Sequence, residues 1–141
     1  MTGETEVLPL PELTPENTAF WTGGARGELM IAFCTDCGHA IHAPQLICPK
    51  CLSRKVEPRA VAGTGTVYSF TVNHQQWFPG MAVPFAILVV DIDGAPGVRV
   101  TAPLRGDAGS ARIGQRVSIG FEQAEDVWLP HWTALEGETG Q

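Results

Sequence analysis

The chain has 141 residues, 44% of them hydrophobic, and its 15 acids against 9 Lys and Arg give a formal net charge of −6. That length suits one modest core beside a small accessory module, and no apolar run approaches the roughly 18 to 20 residues that cross a bilayer. The N-terminus MTGETEVLPLPELTP lacks the basic start and apolar stretch of a secretory leader, so the expectation is a cytoplasmic protein with no membrane association.

Charge is concentrated at the ends. Glu4, Glu6, Glu12, Glu16, Glu122, Glu125, Asp126, Glu136 and Glu138 make up nine of the fifteen acids, and no base lies among them. Residues 17–121 therefore hold six acids against nine bases, a formal +3. Cys34, Cys37, Cys48 and Cys51 as four thiolates on one divalent cation would add −2 and leave this body nearly neutral. Such a body lacks the broad basic surface on which nucleic-acid affinity depends, so no nucleic-acid partner is expected. It has one local basic cluster, Lys50, Arg54, Lys55 and Arg59.

In chain order, residues 1–13 are rich in Pro, Glu and Thr and read as a flexible or surface-hugging arm. Thr14, Pro15 and Glu16 predict an N-cap, a first-turn proline and a dipole-favoured acid, and Gly23-Gly24 predicts a stop after about two turns. So short a helix must dock its aromatics, Phe20 and Trp21, on something. Residues 29–33 predict an apolar strand leading into the segment CTDCGHAIHAPQLICPKC.

From Val61 onward, β-rich runs at 65–77, 85–93, 97–104, 115–122 and about 127–135 alternate with Gly and Pro. In the first, Tyr68, Phe70 and Val72 share one face with period two, and His74 continues it towards the mouth of a barrel. The run Phe85 to Val90 is apolar on both faces and predicts the central, most buried strand. Asp91-Ile92-Asp93-Gly94 has hairpin chemistry, which makes its two aspartates turn-forming and solvated. Five short strands without an intervening helix point to a five-stranded OB-fold barrel. The expected protein is mainly β: arm and short helix over 1–26, zinc ribbon over 27–60, OB-fold over 61–135 and acidic tail over 136–141.

Cys34, Cys37, Cys48 and Cys51 form two CxxC pairs ten residues apart. In a reducing compartment such pairs read as a metal site rather than as disulfides. A CxxC turn aims two sulfurs at one ion, and two turns complete a tetrahedron. With all four positions filled there is none for water or substrate, so the metal is structural. Zinc is favoured, although rubredoxin-like iron would use the same ligands. His39 and His42 inside the ribbon read as surface or supporting residues.

No catalytic set is evident. His74 and His131 stand apart from any nucleophile, and Gly63-Thr64-Gly65 is not followed by the helix a dinucleotide fingerprint needs. An OB-fold that stacks bases on Tyr68, Phe70 and Trp77 remains the alternative function.

The succession FW, G-x-L, CTDCG, CPKC, GTGTVYSFTVNH, PFAILVVDID and RIGQRVSIGF resembles the DUF35 family over roughly residues 14 to 132. The resemblance implies a short helix, a rubredoxin-like zinc ribbon and an OB-fold. It also implies an acyl-CoA-associated accessory subunit of a thiolase-superfamily enzyme, a thiolase or a retro-aldolase of steroid or lipid side-chain degradation, in some cases beside a hotdog-fold enoyl-CoA hydratase. The catalytic residues would then lie on the partner. Candidate ligand- or partner-binding residues here are Phe20, Trp21, Lys50, Arg54, Lys55, Arg59, Tyr68, Phe70, His74, Trp77 and Phe78: aromatics for an acyl chain or an interface, cations for CoA phosphates or an acidic partner.

Overall fold

A computed structural model describes residues 10–135; residues 1–9 of the expected arm and the acidic tail at 136–141 lie outside the described residues. Helix α1 spans Thr18–Thr22. The helix is capped at Asn17 rather than at the predicted Thr14: the Thr14 carbonyl accepts from the Thr18 N–H (3.0 Å) and the Thr14 N–H donates to Asn17 Oδ1 (2.8 Å), but the Thr14 hydroxyl is buried without a hydrogen-bond partner among the described residues. The α-helix ends at Gly23 as expected, but the chain goes on winding more tightly. A 3-10 turn continues over Gly23–Arg26 and ends at Gly27, which takes a left-handed φ of 71°. The paired glycines also allow close packing: a Cβ on Gly24 would lie 2.5 Å from Trp128 Cβ and 2.7 Å from Phe121 Cγ.

Strand β1 (Leu29–Cys34) forms a three-stranded antiparallel sheet with β2 (Ala40–Ile41) and β3 (Val56–Val61), in the order β2-β1-β3. The segment Val56 to Val61 was not predicted as a strand. Pro58 and three charged or exposed neighbours hide it, yet proline is tolerated on an edge strand, where one side of the ladder needs no donor. Strand β1 is two-faced, because successive side chains point to opposite faces. Leu29, Ile31 and Phe33 enter the main core, while Ala32 and Cys34 join Ile41 and Cys48 in a second, smaller one.

Five further strands, β4 (Thr64–Asn73), β5 (Phe85–Ile92), β6 (Arg99–Pro103), β7 (Arg116–Ala124) and β8 (Val127–Ala134), form an antiparallel sheet in the order β6-β5-β4-β7-β8. A parallel bridge from Leu104 to Trp132, and a bond from the Arg105 N–H to the Trp132 carbonyl (2.8 Å), bring its two ends together. The result is the expected small OB barrel. No helix among the described residues is long and apolar enough to cross a membrane.

Three predicted details change. The first run ends at Asn73, not Trp77, because the Asn73 amide bonds locally: its Nδ2 donates to the Gln75 carbonyl and its Oδ1 accepts from Trp77 Nε1. His74 is accordingly exposed beyond the strand's end. Tyr68 does not share a face with Phe70 and Val72. Val67 pairs with Val90 and Ser69 with Val89, so Tyr68 is the extra residue of a β-bulge. The bulge shifts the phase by one, so that Phe70 and Val72 follow Val67 inward and Tyr68 points out, 51% exposed. Lastly, β4 is central and β5 lies beside it. Ala86, Leu88, Val90 and Ile92 are buried, whereas Phe85, Ile87 and Val89 on the other face are only half-buried.

Candidate metal centre and surrounding surfaces

The four cysteine sulfurs lie within 4.8 Å of one another. Cys34 Sγ is 3.5 Å from Cys51 Sγ, and Cys37 Sγ is 3.7 Å from Cys48 Sγ. Sulfurs at the usual 2.3 Å from zinc are about 3.8 Å apart in a tetrahedron, so the set fits one zinc ion. Backbone geometry prepares it. The Gly38 N–H donates to the Cys34 carbonyl and the Leu52 N–H to the Cys48 carbonyl, both at 2.8 Å, closing two equivalent turns. The Lys50 N–H points at Cys48 Sγ (3.4 Å). The thiols shift in opposite directions: the Cys37 backbone N–H chiefly holds the Cys34 thiol down at about 7, while the Cys51 thiol, despite the Ser53 backbone N–H, is pushed up to about 12 by its neighbouring sulfurs and burial. Cys34 and Cys48 are buried, and Cys37 and Cys51 are exposed. Zinc bound here supplies a structural cross-link and offers no open position for substrate.

The remaining candidate residues do not converge. Phe20 packs edge-on to Trp21 (5.0 Å, 84°) and at 5.0 Å from the His42 ring. These three, with Pro44, Arg99 and Thr101, line a cleft of about 370 Å³ where α1, the ribbon and the barrel meet. Lys50, Arg54 and Lys55 are exposed at the ribbon's tip, but Arg59 leaves that cluster and stacks on Phe33, 4.2 Å from the ring centroid. Tyr68 lies under the Arg99 guanidinium (3.7 Å), which also bonds Asp91 (2.9 Å). Phe70 packs against the core, Trp77 is 66% exposed on the β4–β5 loop, and Phe78 beside it is half-buried.

The hairpin aspartates are ion-paired rather than simply solvated. Asp93 receives both Arg116 nitrogens (2.7 and 3.2 Å) and the Thr64 hydroxyl (2.6 Å), and Arg116 is the main reason its carboxyl lies below the ordinary range. Sequence spacing gave no sign of this pairing across the barrel. Among the described residues no histidine side chain is hydrogen-bonded to a hydroxyl, thiol or carboxylate.

His42 was placed in the ribbon by sequence, but its role in the cleft was not anticipated. Burial holds its imidazole below 6.5, which favours the neutral ring. A depressed folded value means that the contribution is whole above about 6.5 and is lost as pH falls from there through the folded value. An NMR titration should therefore place the His42 midpoint below 6.5, with thermal stability falling on acidification less steeply in His42→Gln. A midpoint at or above 6.5 would contradict the burial argument.

Two family models match in succession: the rubredoxin-like zinc ribbon domain of ChsH2 over residues 21–57 and the C-terminal OB-fold domain of ChsH2 over residues 58–122. The fold is similar to that of a chain in a structure titled Ltp2-ChsH2(DUF35) aldolase, with a TM-score of 0.79 and 26% identity over 89% of this chain and 98% of that one. The chain belongs to the DUF35 family. A DUF35 protein of unknown function from Sulfolobus solfataricus shares the fold at a TM-score of 0.62 and 16% identity, over 96% of this chain and 93% of that one.

Among curated proteins, this DUF35 chain is 32% identical over 125 residues to a probable enoyl-CoA hydratase alpha subunit of Thermomonospora curvata. It is 31% identical over 128 residues to the 3-oxo-4,17-pregnadiene-20-carboxyl-CoA hydratase alpha subunit of Mycobacterium tuberculosis. The matches cover 86% and 90% of this chain but 38% and 40% of those proteins, so the chain spans about two fifths of the relatives' length.

Proposed function

We propose that this chain is a non-catalytic accessory subunit of an acyl-CoA-processing complex, whose reacting groups lie on a thiolase-superfamily partner that cleaves a carbon–carbon bond. The observation that carries this reading is the likeness, over 98% of that chain, to a chain of the Ltp2-ChsH2(DUF35) aldolase. The names of the curated relatives support acyl-CoA chemistry and a steroid or lipid substrate. They also favour a second association, with an enoyl-CoA hydratase. Because about three fifths of each relative lies beyond the matched region, the hydratase activity itself is not carried over to this chain.

In this role the metal centre holds the ribbon rigid, and the ribbon, α1 and barrel together present apolar side chains to the partner. Trp77, two-thirds exposed on the loop after β4, is the largest of them, and exposed tryptophans are the residues most often found to dominate interface energy. The subunit would support the partner's fold and help shape its acyl-CoA channel. Turnover of acyl-CoA by the cognate thiolase-superfamily aldolase, measured with and without this chain, tests the proposal. Omitting the chain is expected to lower turnover at least tenfold, and Trp77→Ala to weaken the complex by about 2 kcal/mol. Cleavage by this chain alone, or full activity and stability of the aldolase without it, would overturn the reading.

A further inference from the structure

The cleft of about 370 Å³ between α1, the ribbon and β6 has a wall of rings and two fixed donors. Phe20 meets Trp21 edge-on and the His42 ring at a tilt of 47°, in both cases with centroids 5.0 Å apart. Phe20 also packs against the barrel's core, which anchors the wall. Arg99 enters from β6. Its guanidinium lies flat on the Tyr68 ring (3.7 Å) and its Nε donates to Asp91 (2.9 Å), which leaves the two terminal nitrogens without a partner among the described residues. A planar fork held in this way loses little freedom when it binds.

His42 supplies the second donor. Its Nδ1 is buried without a hydrogen-bond partner among the described residues, and burial keeps the ring neutral. Orphaned N–H groups are rarer in protein interiors than orphaned acceptors, and the tautomer assigned on that ground carries its proton on Nε2, the ring's open nitrogen. Charge then decides what the two donors can take. Glu16 lines the same cleft, half-buried and without an ion-pair partner among the described residues, and Asp91 already faces Arg99. The two acids outweigh the one guanidinium, so an anion is not favoured here. An uncharged acceptor oxygen meets both donors without repulsion from Glu16.

We propose that this cleft binds an uncharged cyclic ketone, its ring body packed against Trp21, Phe20 and His42 and its carbonyl oxygen accepting from Arg99 and His42. The volume lies in the roughly 300–1,000 Å³ range of small-molecule sites, which pair an aromatic lining with a few placed polar groups. The choice of a ketone among carbonyl compounds rests on the function proposed above. In retro-aldol cleavage of a β-hydroxyacyl thioester the hydroxyl gives up its proton and its carbon becomes a carbonyl, while the electrons of the broken C–C bond and a proton pass to the α-carbon. The fragment that leaves without CoA is therefore a neutral carbonyl compound, and the wall of rings suits a cyclic one. CoA, with its phosphates, does not match a cleft in which acids outnumber the cation.

The probe is androst-4-ene-3,17-dione, titrated into the whole zinc-loaded chain and followed by calorimetry and by the NMR signals of the Trp21 indole and the His42 ring. Saturable binding with a Kd on the order of 100 μM or tighter, with both signals shifting, is the expected result. Thr101→Tyr places a ring in the cleft from an exposed position on β6. It is expected to keep the zinc content and Tm of the unaltered chain and to weaken binding at least tenfold. Arg99→Lys keeps the charge but not the fork and should weaken it at least fivefold. No saturable binding, binding that Thr101→Tyr leaves within twofold, or shifts that spare Trp21 and His42 would each refute the site. Tighter binding of dehydroepiandrosterone sulfate than of the dione would make it an anion site and refute the proposal equally. Because only this chain is present, an aldolase that neither binds nor responds to it would overturn the function proposed above and leave a measured dione site standing, whereas an active complex whose subunit binds no dione refutes the cleft alone.

Discussion

Replacing Cys48 by serine is expected to give a protein with less than one zinc per chain and no cooperative unfolding transition. Structural zinc contributes an apparent folding free energy of about 10–16 kcal/mol in small modules, which matches or exceeds the roughly 5–15 kcal/mol by which a whole domain is stable. Serine keeps the size of the side chain but offers no thiolate, and three sulfurs do not close a tetrahedral structural site. The damage will not stay in the ribbon. Strand β1 buries Leu29, Ile31 and Phe33 in the barrel's core and Ala32 and Cys34 in the metal-bearing one, so releasing Cys34 frees the strand that both cores share. Zinc stoichiometry, near-ultraviolet circular dichroism and hydrogen exchange of Leu29 to Cys34 measure the three consequences. A soluble, cooperatively folded Cys37→Ser, Cys48→Ser protein without metal would show that packing alone holds the ribbon.

Features that depend on a few neighbouring residues were legible in the sequence. The cysteine spacing predicts one cluster because a CxxC turn fixes its two sulfurs locally, and the structure gathers all four. β-rich runs between Gly and Pro locate the five barrel strands, because each is a contiguous stretch of strand-forming residues bounded by turn signals. What escaped depends on partners far along the chain. The bulge at Tyr68 is invisible in its own strand, since only the register against β5 shows that one residue too many lies between Val67 and Ser69. Strand β3 looks like loop because an edge strand with proline and charge needs only one ordered neighbour. Gly23-Gly24 reads only as a helix stop, which it is, whereas the close approach of Trp128 and Phe121 to Gly24 and of Glu28 and Met30 to Gly23 appears only in the folded chain. The left-handed backbone of Leu52 (φ 67°) is concealed for the same reason: it belongs to the folded turn, in which the Leu52 N–H bonds the Cys48 carbonyl.

Candidate surface residues were the least legible of all. Four cations within ten residues suggested a single patch, but the strand register sends Arg59 to the face of Phe33 and leaves the other three at the ribbon's tip. Aromatic residues grouped by sequence likewise divide between the cleft, the barrel's outer face and a loop. Exposure and charge, unlike core patterning, carry no periodic signal that ties one such residue to another.

Trp132→Ala is expected to be the most damaging single change in the barrel. The residue is fully buried on β8, pairs with Ile119 on β7 and bridges Leu104 at the end of β6. It therefore stands where the sheet's two ends meet. Truncating a buried tryptophan costs about 3–5 kcal/mol through lost transfer free energy and the cavity left behind, a fall in Tm of roughly 10–20 °C. Its indole Nε1 is buried without a hydrogen-bond partner among the described residues, and an unsatisfied buried donor costs about 1–3 kcal/mol by itself. Trp132→Phe keeps most of the volume and removes that donor, so its net cost should be under about 1.5 kcal/mol. Urea denaturation of the zinc-loaded protein separates the two variants. A Trp132→Ala protein within about 1 kcal/mol of the parent would mean that the barrel closes without this side chain, and equal losses in both variants would place its contribution in the part of the indole volume that phenylalanine does not fill.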